Sequence, residues 1–187
     1  IIMKEVEAVK DQSVLSSIPV LLKKHHSDQM SDIWEFGLNV GLRISDTLGI
    51  KFTDFVNGRL EIVEGKTKKR ASIHLNEKAL TIVDSIRQQH PDDVYLFQSR
   101  STRNLLGRIK PLSRQSVSQA FKSVGGMVGV DLGTHSMRKT RGYHLYKKTN
   151  DIARVSKMLR HSSTGVTLRY IGITQESIDQ DFEDLVL

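Results

Sequence analysis

Two histidine-containing boxes stand out for what their side chains could do together. In the segment THSMRKTRGYH, His135 precedes Arg138 by three positions, a spacing that on a helix puts both on one face. In LRHSSTGVTLRYIG, His161 stands just before a stretch with a helix-start signal, and Tyr170 follows it nine positions later. Upstream, GLRISD supplies Arg43 with Asp46 one helical turn away, and EGKTKKR supplies Lys66. Cleaving a phosphodiester without a metal needs a nucleophile, cations or donors for the charge on the phosphate, an acceptor for the nucleophile's proton and a donor for the leaving oxygen. Arginine suits the phosphate because its fork donates two parallel hydrogen bonds and keeps its charge. Lysine and histidine suit proton transfer because their pKa values can be moved towards neutrality.

Taken singly, each residue has an ordinary explanation. His135 alone reads as a helix-start or core histidine, Arg43 as a salt-bridged cap, and Tyr170 as a packing residue with a buried ring and a wet hydroxyl. The run Lys66, Lys68, Lys69, Arg70 reads equally as a solvated hairpin tip, and Lys139 and Arg141 as residues that either touch backbone phosphates or keep the surface soluble. Their joint order and spacing point to chemistry. His25, His26, His74, His90 and His144 lack a coherent ligand spacing, which argues against a zinc site.

The elements that must hold these residues are mostly helical. Apolar residues recur at helical spacing from about Ser13 to His26 and from Asp28 to Val40, and Ser45 to Ile50 is expected to form a short helix capped by its serine, with Arg43 at the entrance. Leu60 to Val63 and Ala71 to Leu75 flank the polar EGKTKKR and predict a hairpin with Lys66 in its tip. Asn76 predicts a cap for a helix to about Gln89, PDDVYLF a turn and a short buried strand, and Ser99 to Lys110 a loop. Ser113 opens a further helix whose end is blurred by Gly125 and Gly126. Helical patterns then run from His135 to Lys148, from a cap at Asn150 or Asp151 through Leu159, and from a cap within Ser162 to Thr164 through Tyr170. The tail from Thr174 to Leu187 carries Ile178, Phe182 and Leu185 as a helical stripe beside acids.

In this ordered set the chain resembles the tyrosine recombinase, or phage integrase, family over essentially its whole length. The family's pattern is an arginine in a Gly-Leu-Arg box, a lysine in a hairpin turn, a His-x-x-Arg box, then a histidine with the nucleophilic tyrosine nine residues on; here these are Arg43, Lys66, His135 with Arg138, His161 and Tyr170. The resemblance implies a mainly α fold with a small antiparallel β-sheet and a DNA breaking and rejoining enzyme. Tyr170 would attack the scissile phosphate and leave a 3′-phosphotyrosine and a free 5′-hydroxyl. Arg43, Arg138 and His161 would bind the non-bridging oxygens, His135 would accept the tyrosine proton, Lys66 would protonate the 5′-oxygen, and Asp46 would orient the cluster. No cofactor is expected, because the covalent bond conserves the phosphodiester's energy without ATP or metal. Expected partners are double-stranded DNA and further copies of the chain in a tetramer on DNA, with the tail packed on its own domain or docked on a neighbouring protomer.

The same likeness divides the chain into a catalytic domain at residues 1–173, whose first 12 residues read as a linker remnant, and an acidic tail helix at 174–187, with the family's N-terminal clamp domain outside this sequence. Two other readings compete: a type IB topoisomerase or telomere-resolving enzyme with similar chemistry, and a non-catalytic helix-turn-helix regulator built on Asp151 to Tyr170.

Charge supports a polyanionic partner. The formal net charge is +7, and between Thr134 and Tyr170 nine Lys or Arg face one acid, Asp151. Beyond Gly172 the sign reverses, with Glu176, Asp179, Asp181, Glu183 and Asp184 and no basic residue. Lys68, Lys69, Arg70, Lys139 and Arg141 are the candidates for backbone contacts. With 38% apolar and 26% charged residues, three prolines and no cysteine, the composition is that of one globular domain and excludes a disulfide framework or a thiolate metal site. It permits a reducing compartment, and a cytoplasmic, DNA-associated protein of bacterial or phage origin is the expectation.

Overall fold

Capping side chains mark where most helices begin. Asp11 accepts hydrogen bonds from the N–H groups of Ser13 and Val14 to start α1 (Gln12–His25), and Ser27 accepts from Met30 to start α2 (Asp28–Val40). The chain leaves α2 through Gly41, at φ 65°, and enters α3 (Ile44–Leu48) at Arg43. Ser45 therefore lies inside the first turn and is not the expected cap, and α3 has no side-chain cap. The structure, a computed structural model, describes residues 6, 8–100, 108–161, 163–171 and 175–186. Most of the expected loop at Ser99 to Lys110 and part of the cap at Ser162 to Thr164 lie outside the described residues.

A single 3₁₀ turn at Phe52–Asp54 leads into an antiparallel sheet of β1 (Phe55–Val56), β2 (Arg59–Val63) and β3 (Arg70–His74), in that order. The predicted hairpin is the β2–β3 pair, with Leu60 opposite Ile73 and Ile62 opposite Ala71. β1 adds a strand the periodicity does not reveal. It is made by a two-residue turn at Asn57 and Gly58, at φ 50° and 72°, the left-handed pair that suits a hairpin's twist. Asn76 caps α4 (Glu77–Gln89) as expected. The strand expected in PDDVYLF reduces to a bridge between Lys51 and Tyr95 and a 2.9 Å hydrogen bond from Leu96 N–H to Ile50 O, with Leu96 and Phe97 buried. Ser113 caps α5 (Arg114–Val128), which runs through Gly125 and Gly126 and ends at Gly129, at φ 70°. The last elements are α6 (Ser136–Thr149), α7 (Ile152–Met158) capped by Asp151, α8 (Thr164–Ile171) and α9 (Gln175–Asp184).

The fold is mainly α with one small antiparallel sheet, as the sequence implies. Its main core is built on α2, which packs against α1, α4 and α6. Trp34 meets the edge of Phe121 at 5.2 Å and Phe36 that of Phe97 at 5.7 Å between ring centroids. α6 approaches α2 closely because position 37 is glycine: a Cβ there would overlap Met137 Sδ. A second, smaller core joins α6, α7 and α8 through Val155, Leu159 and Ile171, flanked by Leu145, Tyr146, Ile152, Met158 and Tyr170. Of the stretch read as a linker, Val6 and Val9 are pinned along α6: Val9 is buried, its N–H donates to Thr140 Oγ1 at 2.9 Å, and Val6 O accepts from Lys139 Nζ at 2.8 Å. On α9 the apolar stripe is open, with Ile178, Phe182 and Leu185 all exposed. Among the described residues, no helix is long and apolar enough to cross a membrane.

One acid sits badly in this fold. Asp32 on α2 has its pKa pushed up to about 6 by desolvation, with Glu35 and Asp28 adding repulsion. An acid whose folded pKa exceeds its unfolded value of 3.8 loses stability as pH rises between the two. Asp32→Asn should therefore raise the melting temperature at pH 7.5, by a free energy of up to about 3 kcal/mol, and change it little at pH 3.5. Melting both proteins across that range checks the sign.

Candidate active site

Arg138 is the anchor. It lies in the first turn of α6 with 1% of its surface exposed, and its Nη1 donates to Gly41 O at 2.6 Å while Nη2 donates to Leu159 O. One guanidinium thus holds the end of α2 against the end of α7. Burial first, then the neighbouring Arg43, lowers its pKa to about 10, so it stays charged at neutral pH. Tyr170 offsets part of this lowering through its charge and a side-chain hydrogen bond, while Arg138 Nε is buried without a partner among the described residues.

Tyr170 comes from α8, and its ring stands edge-on to that of His161 at 4.6 Å between centroids. His161 follows the end of α7, where its N–H donates to Ser156 O at 3.0 Å. Its Nδ1 is 2.8 Å from the hydroxyl of Thr167, a fully buried residue three positions before Tyr170 on the same helix face. Nε2 is buried without a partner among the described residues. Desolvation, then Arg138, Arg43 and Arg160, push the pKa of His161 down to about 4. The ring is neutral at pH 7; in the tautomer in which Nδ1 accepts from Thr167, its proton sits on Nε2, where it can donate to an anionic oxygen.

Arg43, at the entrance to α3, pairs through Nη1 with Glu64 Oε1 at 3.3 Å. Glu64 follows β2 directly, and its side chain is 1% exposed. The same Oε1 accepts from Arg160 Nε at 2.8 Å, and Oε2 accepts from the Thr67 hydroxyl at 2.7 Å. Burial pushes this carboxyl up, but Thr67, Arg160 and Arg43 together outweigh it and hold the pKa below its ordinary value. Asp46 is buried, and its Oδ1 accepts the N–H of Gly65 at 2.8 Å. The carboxylate expected to orient the cluster thus grips the backbone of the turn that carries Lys66. Lys66 itself is exposed in that turn, and Lys68, Lys69 and Arg70 are exposed beside it.

Lys139 and Arg141 depart from the surface set. Both lie on the inward side of α6: Lys139 is buried, with its ammonium on Val6 O and 5.6 Å from the Tyr170 ring centre, and Arg141 donates to Leu38 O at 2.9 Å. Their charges face protein carbonyls and not an open surface. Four residues that the motifs did not single out complete the site: Glu64, Thr67, Arg160 and Thr167. Among the described residues no group of three or more His, Cys, Asp or Glu could hold a metal ion.

His135 sits at the N-cap of α6, one residue ahead of the helix and three ahead of Arg138. Desolvation, followed by the charges of Arg114, Lys139, Arg138 and Arg43, lowers its pKa below 6.5. As the base that the sequence resemblance implies, His135 must be unprotonated to act, so cleavage is then expected to climb with pH through a midpoint below 6.5 and hold level above it. His135→Gln should remove that acid limb in single-turnover cleavage measured from pH 4.5 to 8.

The phage integrase family model matches residues 14–177. The chain belongs to the phage integrase family. It is 36% identical over 159 residues to the probable integrase/recombinase YoeC of Bacillus subtilis strain 168, an alignment covering 84% of this chain and 83% of that protein. It is 26% identical over 180 residues to the tyrosine recombinase XerA of Pyrococcus furiosus, covering 95% of this chain but only 61% of that protein. Among solved structures, the Tn1549 transposon integrase in complex with a circular intermediate DNA superposes with a TM-score of 0.73, 16% identity and coverage of 98% of this chain and 67% of that one. The XerA recombinase superposes with a TM-score of 0.71 and 14% identity. These likenesses show that this phage integrase family member has the fold of the tyrosine recombinase catalytic domains.

Proposed function

We propose that this chain is the catalytic domain of a site-specific recombinase that cleaves and rejoins DNA through Tyr170. Tyr170 Oη attacks the scissile phosphorus and forms the 3′-phosphotyrosine, and the bond to the 5′-oxygen breaks. His135 takes the tyrosine proton and Lys66 Nζ gives one to the departing oxygen, so protons balance over the step. Arg43, Arg138 and the Nε2–H of His161 face the charge that builds on the non-bridging oxygens. Rejoining runs the same steps backwards, and the phosphotyrosine conserves the energy of the original bond.

The observation that carries this reading is the placement of the Tyr170 side chain: bonded to a buried arginine and edge-on to a neutral histidine whose second nitrogen is unpaired. A tyrosine that merely packed would not need two such neighbours. A helix-turn-helix regulator built on α7 and α8 would leave the contacts of Tyr170 with Arg138 and His161 without a role. The exposed lysines of the β2–β3 turn, Lys66, Lys68 and Lys69, with Arg70, supply the positive surface for the DNA backbone. The open stripe on α9 fits docking on a neighbouring protomer in a tetramer assembled on DNA.

A nicked suicide duplex carrying the target site tests the reading, because release of a short 5′ fragment traps any covalent intermediate. The expected product is protein on the 3′ side of the break, with the modified peptide containing Tyr170. Tight binding to the site with no adduct would overturn it, and relaxation of supercoiled plasmid without site preference would favour a topoisomerase.

A further inference from the structure

Three segments distant in sequence converge on one buried carboxylate. Glu64 receives Arg43 from the entrance to α3, Arg160 from the α7–α8 turn, and Thr67 from its own hairpin. Its backbone also closes the base of the turn: Glu64 N–H donates to Lys69 O and Lys68 N–H to Glu64 O, both at 2.9 Å. Lys66 is therefore the exposed tip of a loop whose two stems are fastened, one to Asp46 through Gly65 and the other to Glu64. A carboxylate buried this deeply is tolerable only with its pairs intact.

Arg160 is unusual in its own right. Its backbone is left-handed, at φ 52°, where residues with a Cβ are uncommon and glycine is favoured. Even so, the position carries the side chain that makes the shortest ion pair to Glu64, and the next residue is His161. The unfavourable backbone is held by what its guanidinium reaches.

We propose that Glu64 and Arg160 are a positioning pair that locks the turn carrying Lys66 against the turn carrying His161, so that the proton donor and the phosphate-binding groups are set relative to one another before DNA binds. Neither residue touches the reacting atoms, and the pair rests on the assignment of Lys66 as the donor to the 5′-oxygen. In the step it serves, the Tyr170 Oη–P bond forms, the P–O5′ bond breaks, and the proton leaves Lys66 Nζ for O5′.

The leaving group provides the test. Replacing the scissile 5′-oxygen with sulfur gives a thiolate that departs without a proton, so a defect in proton donation disappears while a defect in phosphate binding remains. Glu64→Gln keeps the shape and the Thr67 contact but removes the charge. Arg160→Gly suits the left-handed backbone and removes only the side chain, so folding is preserved by design and confirmed by unchanged affinity for the site. On the oxygen substrate each should cleave slower by about 100-fold, the scale of a misplaced catalytic group. On the sulfur substrate Arg160→Gly should recover to within about threefold of the unsubstituted protein, as Lys66→Ala should, whereas Glu64→Gln, which also releases Arg43, should recover in part, with the double variant no worse than Glu64→Gln alone. If Lys66→Ala recovers on sulfur but Glu64→Gln and Arg160→Gly stay slow, the positioning of Lys66 is wrong and the donor assignment stands. If Lys66→Ala itself fails to recover, both fall. Wild-type rates for Glu64→Gln on the oxygen substrate would also overturn the pair.

Discussion

Tyr170→Phe is expected to bind the target duplex as tightly as the unsubstituted protein and to leave no covalent adduct on a suicide substrate. The ring's part in the small core with Val155, Leu159 and Ile171, and its edge-on contact with His161, involve carbon atoms that phenylalanine keeps. Only the hydroxyl is lost. A hydrogen bond to the charged Arg138 is worth about 1.5–3 kcal/mol of stability, too little to unfold the domain. The chemical loss has no such limit, because phenylalanine carries no oxygen to attack the phosphorus. Residual adduct at more than trace level, mapped to another tyrosine or to none, would remove Tyr170 from its role.

Arg138→Lys should fail twice over. The guanidinium bonds Gly41 O and Leu159 O at once while facing Tyr170, and an ammonium on a flexible stem cannot span three such directions from one planar group. The carbonyls at the ends of α2 and α7 then lose a charged donor in a buried setting, at a cost of about 1–3 kcal/mol. Cleavage should fall by roughly 10²–10³, the usual penalty for one lost donor to a developing oxyanion. Paired measurements separate the two effects: a lowered melting temperature reports the splint, and slowed single-turnover cleavage well below that temperature reports the chemistry. A variant that melts early but cleaves normally would show that Arg138 is structural only.

How far the sequence reaches can be judged from particular residues. α1 and α2 were legible from their apolar spacing, and α4, α5 and α7 also from local caps: Asn76, Ser113 and Asp151 each bond the backbone N–H three residues on. The spacing of Arg43, Lys66, His135, Arg138, His161 and Tyr170 was legible as a pattern, and the family match extends across all of it. Asn57-Gly58 was a readable signal that passed unused; the pair is a strong hairpin marker, but the strand it serves is two residues long. Glu64 was hidden by its company, since a glutamate followed by Lys66, Lys68, Lys69 and Arg70 looks solvated. Strand alternation did carry a hint: Leu60, Ile62 and Glu64 share one parity, and the first two face inward. Arg160 had no comparable signal, because nothing local marks a left-handed arginine. Lys139 and Arg141 misled because net charge says nothing about which side of α6 a residue occupies; only the packing of α6 on α2, Val6 and Val9 decides that.

The division of the interior into two clusters has an energetic meaning. Most of the chain's apolar mass, from Val9 to Met137, stabilises the body that carries Arg43, Lys66 and Arg138, whereas Tyr170 and His161 rest on the few side chains gathered around Val155, Leu159 and Ile171. So small a cluster opens at a lower free energy than the body as a whole, and amide hydrogens of α7 and α8 should exchange long before those of α2. The proposed nucleophile thus belongs to a less protected part of the domain than Arg43 and Arg138, the arginines proposed to bind the phosphate, so a local opening that leaves the rest folded would withdraw it from them.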